Sequence, residues 1–143
     1  MNVSTKVVSV AAGLALAGAS EVALAKFAPR YRVPVLGVGL GAAAAVYPLA
    51  RSARSRSAPV VRELVALAVF GAVGGVAARS GSSAAGRVVA AGWLAHALFD
   101  LVHDTGDHSR IPAWYPAFCA GYDLGVTALL LRPDPNAPAR PRS

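Results

Sequence analysis

Charged residues are scarce in this 143-residue sequence, at 15% of the chain, whereas soluble domains usually have about 25%. Hydrophobic residues make up 55% of it, and the mean hydropathy is +0.50. A chain with so few charges has little polar surface to present to water. We therefore expect a membrane protein whose main partner is the lipid bilayer.

Cysteine and several familiar motifs are also nearly or wholly missing. Cys119 is the single cysteine, which excludes an internal disulfide. The sequence contains no P-loop, dinucleotide-binding fingerprint, nucleophile elbow or CxxC pair, so the common soluble chemistries lack their motif. The net charge of +7 comes from basic residues scattered through short breaks, and this distribution argues against a nucleic-acid partner.

Five apolar blocks occupy most of the chain, each close to the roughly 20 residues that a helix needs to cross a bilayer. They run from about Val7 to Ala25, Pro34 to Ala50, Val60 to Ala78, Ala84 to Val102 and Trp114 to Leu131. We predict an all-α fold, a polytopic transmembrane helix bundle of about five spans over residues 1–131. The Pro/Arg-rich tail, 132–143, has little to bury and is predicted to be disordered.

The first block has two interpretations. It follows Lys6 and ends in Ala23-Leu24-Ala25, which also fits a cleaved signal peptide. We favour a retained helix because the apolar run reaches the length of a span. Cleavage would leave four spans. Basic residues divide almost evenly between the two sides of the membrane, so orientation stays open.

Small residues recur four positions apart, a spacing that lets a neighbouring helix approach closely. The pairs are Gly37/Gly41, Gly71/Gly75 and Gly121/Gly125. They predict tight helix packing, either within the chain or between copies in a homo-oligomer.

A polar stripe interrupts the fourth block. His96, Asp100 and His103 fall within about 60° of one another at 100° per residue, with Trp93 beside them. A carboxylate near the bilayer centre costs on the order of 3 kcal/mol, so the stripe should face the bundle interior. Depth along the neighbouring blocks places Glu63 at a similar level to Asp100 and His103.

By the same argument, Asp123 should lie at the level of His96. Three interpretations of the resulting group remain open. His96, Asp100, His103 and Glu63 can hold zinc or another divalent metal, with Asp123 as a further polar group. The same residues can relay protons, since histidine titrates near neutrality. They can also simply hydrogen-bond one another and lock the packing of the helices.

One pattern in the last third of the membrane region carries a resemblance. The order is W-x2-H-x3-D-x2-H followed by P-x3-P-x2-C-x3-D, here Trp93, His96, Asp100, His103, Pro112, Pro116, Cys119 and Asp123. It resembles a family of uncharacterised small bacterial multi-pass membrane proteins. The chain has Asp104 where that family has a second histidine. The resemblance implies a bacterial membrane protein, and it implies no mechanism because the family has no established activity.

We therefore expect an integral protein of the bacterial cytoplasmic membrane with a polar site on its fourth span. The first hypothesis is a metal-binding protein or a membrane enzyme. The alternatives are a non-enzymatic structural or assembly protein, indicated by the small-residue spacings, and a component of proton-coupled transport.

Overall fold

The computed structural model describes residues 2–51, 58–80, 82, 84–103 and 109–132. Within these ranges the chain folds into five α-helices and one 3-10 turn, so the predicted all-α bundle is confirmed. The helices are α1 (Val3–Phe27), α2 (Arg32–Leu49), α3 (Ala58–Ser80), α4 (Ala85–Val102) and α5 (Tyr115–Leu131), with the turn at Pro29–Tyr31. The predicted disordered tail lies outside the described residues except for Arg132.

The helices have the length and composition of membrane spans. Among the described residues, α1, α2 with its preceding turn, α3 and α4 are each long and apolar enough to cross a bilayer. The fifth helix is apolar and slightly shorter, at 17 residues. Many large hydrophobic side chains point outward, including Val7, Val38, Val65 and Leu101. An apolar exterior of this kind fits a lipid surrounding.

The fourth helix lies at the centre of the bundle. It contacts α5, α3 and α2, while α1 packs along α5 and α2 packs along α3. In its most apolar stretch 44% of the residues are buried, against 17% in α1 and 28% in α2 and α3. Polar side chains on α4 are therefore enclosed by other helices.

Glycines allow two close helix approaches. A Cβ on Gly37 would lie 2.7 Å from the carbonyl oxygen of Gly74, so α2 and α3 touch backbone to backbone there. A Cβ on Gly13 would lie 2.6 Å from the backbone nitrogen of Tyr122, and one on Gly121 would overlap the carbonyl of Val10. Of the predicted pairs, Gly37/Gly41 and Gly121/Gly125 face such contacts within the chain. Around the Cβ positions of Gly71 and Gly75 the described part of the chain leaves open space.

Candidate functional site

The centre of the bundle holds a buried group of three ionisable side chains, which we call the inner group: His96, Asp100 and Asp123. His96 Nδ1 lies 2.8 Å from Asp123 Oδ2 and 3.6 Å from Asp100 Oδ2. The three residues are only 1%, 3% and 1% exposed, in that order. His96 and Asp100 share a face of α4 because they are one turn apart, and Asp123 faces them from the middle of α5.

Several polar atoms of this region have no hydrogen-bond partner among the described residues. They are both carboxylate oxygens of Asp100, Nε2 of His96 and the hydroxyl of Tyr47. Buried polar atoms are nearly always paired in native proteins, and an unpaired one costs roughly 1–3 kcal/mol. The inner group therefore has free capacity to bind a ligand that supplies positive charge or hydrogen-bond donors.

Contacts between helices surround the inner group. Trp93 donates its indole N–H to the carbonyl of Leu36 at 3.1 Å and so joins α4 to α2. The Thr127 hydroxyl lies 2.8 Å from the carbonyl of Asp123 and 3.3 Å from that of Ala90. Phe70 packs edge-on against the His96 ring, with 5.0 Å between centroids. These contacts join α4 to α2, α3 and α5 around the site.

A second cluster, the outer group, lies at the end of the bundle where α2 and α4 end and α3 begins. Glu63 Oε1 lies 2.8 Å from His103 Nε2. The Arg51 guanidinium binds both carboxylate oxygens of Glu63, with Nε to Oε2 at 2.9 Å. The side chains of Arg51, Glu63 and His103 are 5%, 1% and 1% exposed, in that order. Hydrogen bonding to Glu63 raises the pKa of Arg51, which keeps the guanidinium charged.

The five residues named from the sequence therefore fall into two groups. Asp123, expected as a further polar group, lies with His96 and Asp100, whereas Glu63 and His103 form the outer group with Arg51. Phe99 lies between the two imidazoles, with ring centroids 6.1 Å from His96 and 4.6 Å from His103. An aromatic layer thus separates the groups.

The position of His103 explains this division. His103 follows the last residue of α4, and its backbone N–H still donates to the carbonyl of Phe99. Its φ of −75° is close to helical, and its ψ of 120° redirects only the chain that follows. Its side chain therefore keeps the direction that helical periodicity gives it, but seven residues of helix place it about 10.5 Å beyond His96 along the axis, at the level of Glu63. In the outer group Arg51 already balances the charge of Glu63, so a cation placed there would meet a guanidinium.

Two residues at these groups, Arg51 of the outer group and Tyr47 packed against His103, are not among those predicted from the sequence. Arg51 is one of the basic residues between spans, and it follows the second block on the side of the membrane where Glu63 begins the third. That shared depth was the available signal. Tyr47 gave no signal, because a tyrosine near the end of an apolar span more often anchors a helix at the interface.

The opposite end of the bundle carries a separate ion pair. Glu21 binds Arg32 at 2.5 Å, and Arg32 also donates to the carbonyl of Leu129 at 2.9 Å. These contacts join α1, α2 and α5. Glu21 therefore takes no part in the inner group.

A cleft of about 210 Å³ reaches the inner group from the side of the bundle. It lies between α1 and α2 and is closed at the back by α4 and α5. Its lining includes Leu16, Gly39, Ala43, Trp93, Cys119 and Asp123. Asp123 is thus shared by the cleft and the inner group.

Comparison with known protein families, with curated proteins and with solved structures finds no match. The function of the site is therefore argued from its geometry.

Proposed function

We propose that the protein is a multi-pass protein of a bacterial cytoplasmic membrane that binds a divalent metal ion in the inner group. Zinc is the ion that we propose. One observation carries the proposal. His96, Asp100 and Asp123 each offer a ligand atom, these atoms lie within 4.8 Å of one another, and all three residues are buried. The oxygens of Asp100 support it, since neither has a hydrogen-bond partner within the usual distance among the described residues.

The spacing of the ligand atoms suits zinc. Tetrahedral zinc with bonds of about 2.0–2.1 Å holds its ligand atoms about 3.3 Å apart. The observed distances from His96 Nδ1, 2.8 Å to Asp123 and 3.6 Å to Asp100, lie on either side of that value. The ligand atoms of the two carboxylates lie within 4.8 Å of each other, so a rotation of one carboxylate would bring all three atoms to the spacing that zinc needs.

The charge balance favours the same ion. Two ionised carboxylates in a buried apolar setting are costly unless a cation compensates them. A neutral imidazole with two carboxylates carries a charge of −2, which a divalent cation cancels. Arg51 does not serve this purpose, because it is engaged with Glu63.

Three protein ligands would leave one coordination position open. Zinc sites that keep such a position bind water or substrate there, and the metal lowers the pKa of bound water or polarises a carbonyl group. The site therefore has the composition of a reactive centre more than of a closed structural one.

A second function, helix assembly without a metal, is favoured by the hydrogen bond between His96 and Asp123. This bond joins α4 to α5 and would by itself hold the two helices in register. Proton-coupled transport requires a water path to Asp123. The cleft that reaches Asp123 is lined mainly by apolar and aromatic side chains, so we do not propose transport.

Metal analysis of two matched histidine variants tests the proposal. His96 and His103 both bind a carboxylate at 2.8 Å, but only His96 belongs to the inner group. We expect a stoichiometric divalent metal, measured by mass spectrometry on monodisperse protein in detergent, in the wild type and in His103→Ala. We expect its loss in His96→Ala. Absence of metal from the wild type, or equal loss in both variants, would overturn the proposal.

A further inference from the structure

We propose that the cleft between α1 and α2 binds one acyl chain of a membrane lipid and brings that chain to Asp123. The ligand or substrate of the inner group would then be a molecule with a long apolar chain. This last step rests on the proposed metal function, whereas binding of the chain itself does not.

The depth of the cleft identifies its occupant. Leu16 lies near the middle of α1, Gly39 near the middle of α2, Trp93 near the middle of α4 and Asp123 near the middle of α5. The cleft is thus at the level of the hydrocarbon, where lipid chains are the surrounding medium and water is excluded.

The cleft opens sideways from the bundle. Few contacts join α1 and α2 directly, because α1 packs on α5 and α2 packs on α3. Leu14 and Val38, close to the cleft on these two helices, have exposed side chains that would face lipid. A lipid chain can therefore enter from the bilayer without first crossing water.

The length of the cleft agrees with one leaflet. Its lining on α5 extends from Tyr115, the first residue of the helix, to Asp123. Eight residues of helix rise about 12 Å, and half of the hydrocarbon core is about 15 Å thick. A chain from one leaflet therefore spans the cleft, with its polar group near Tyr115 at the membrane surface. Tyrosine is common at that level because it contacts headgroups well.

Gly39 provides a variant that fills the cleft. A Cβ at Gly39 would lie 3.5 Å from Cζ2 of Trp93, an ordinary contact, so the backbone tolerates a side chain there. The branched end of a leucine would then occupy the space in front of Trp93. Gly18 on α1 is the matched control, since a Cβ there would meet nothing within 4 Å.

The experiment uses full-length protein in vesicles of phosphatidylethanolamine and phosphatidylglycerol containing a phosphatidylcholine with a diazirine in the distal half of one acyl chain. After irradiation, lipid adducts are mapped by peptide mass spectrometry. We expect them to concentrate between Tyr115 and Asp123 and around Leu16. Gly39→Leu should lower the yield of adducts by about fivefold or more, because a leucine side chain and an acyl chain together would overfill the space in front of Trp93. Gly18→Leu should leave the yield unchanged.

Ala43→Leu is a second blocking variant, for use if Gly39→Leu is not monodisperse. Adducts spread evenly over the outward faces of the helices, or a yield that neither blocking variant lowers, would overturn the lipid site. Metal content is measured on the same samples. A labelled cleft in protein without metal would reject the metal site alone, and metal without labelling would reject the lipid site alone.

Discussion

His96 and Asp123 form a buried hydrogen bond of 2.8 Å that joins the central helix to α5. The bond is local in space but connects residues that are 27 positions apart in the chain. It fixes the register of the two helices, and the same two side chains are two of the three proposed metal ligands, so a bound ion would replace the hydrogen bond. Separating these roles is the main experimental question about the site.

Asp123→Asn separates them. The amide oxygen of asparagine can still accept a hydrogen bond from His96 Nδ1, so the variant should unfold at a temperature close to that of the wild type without metal. Loss of the negative charge should lower the zinc affinity by at least about tenfold. Mutation of a residue that only hydrogen-bonds to a metal ligand already has an effect of this size. Competition with a zinc-binding dye measures the affinity.

Added zinc provides the second measurement for this variant. A ligand that binds only the folded state at 100 times its dissociation constant stabilises it by about 2.7 kcal/mol. The wild type should therefore gain thermal stability at a zinc concentration that leaves Asp123→Asn unchanged. If both proteins respond equally, Asp123 is not a ligand.

Arg51→Met should be strongly destabilising. It removes the guanidinium from a carboxylate that is 1% exposed, and loss of one partner from a buried ion pair costs about 3–5 kcal/mol. Unfolding in mixed micelles of increasing SDS content measures the loss. The variant should keep its metal, because Arg51 belongs to the outer group.

Arg32→Met is the control for this change. Its ion pair with Glu21 is more exposed, at 29% and 18% for the two side chains, and such pairs contribute only about 0–1 kcal/mol. Arg51→Met with Glu63→Leu should also be more stable than Arg51→Met alone, since no unpaired charge remains. Equal losses for the two arginine variants would contradict the buried pairing.

The fold could be predicted from the sequence because bilayer thickness alone relates apolar length to helical spans. The predicted first block, Val7 to Ala25, is shorter than α1 because hydropathy falls at Lys6 and Lys26, while helical hydrogen bonding continues through both. The side chains of lysines near helix ends can reach the membrane surface. Hydropathy therefore locates a span better than it locates its ends.

The candidate site was predictable only in part. Helical periodicity places His96 and Asp100 on one face, and depth along the spans places Asp123 beside them. The same depth argument places Glu63 beside His103. The direction of Arg51 after α2 is set by packing at the end of the bundle, which no local pattern encodes.

Adjacent glycines on α3 provide the sharpest test of the helix packing. A Cβ on Gly74 would overlap the carbonyl group of Gly37. This carbonyl belongs to the helix backbone, so it cannot rotate away as a side chain would. Gly74→Ala should therefore push α2 and α3 apart and cost about 1–3 kcal/mol, the usual range for overpacking. Unfolding by SDS measures the loss.

Gly75→Ala should stabilise the protein instead, although it adds the same methyl group one residue later. Nothing lies within 4 Å of a Cβ at Gly75, and alanine is favoured over glycine inside a helix by up to about 1 kcal/mol. Neighbouring positions in one helix share hydropathy, depth and secondary structure. If the two changes have opposite effects on stability, the difference can thus come only from which side of α3 each residue occupies. Equal effects of the two changes would mean that α2 does not cross α3 at Gly74.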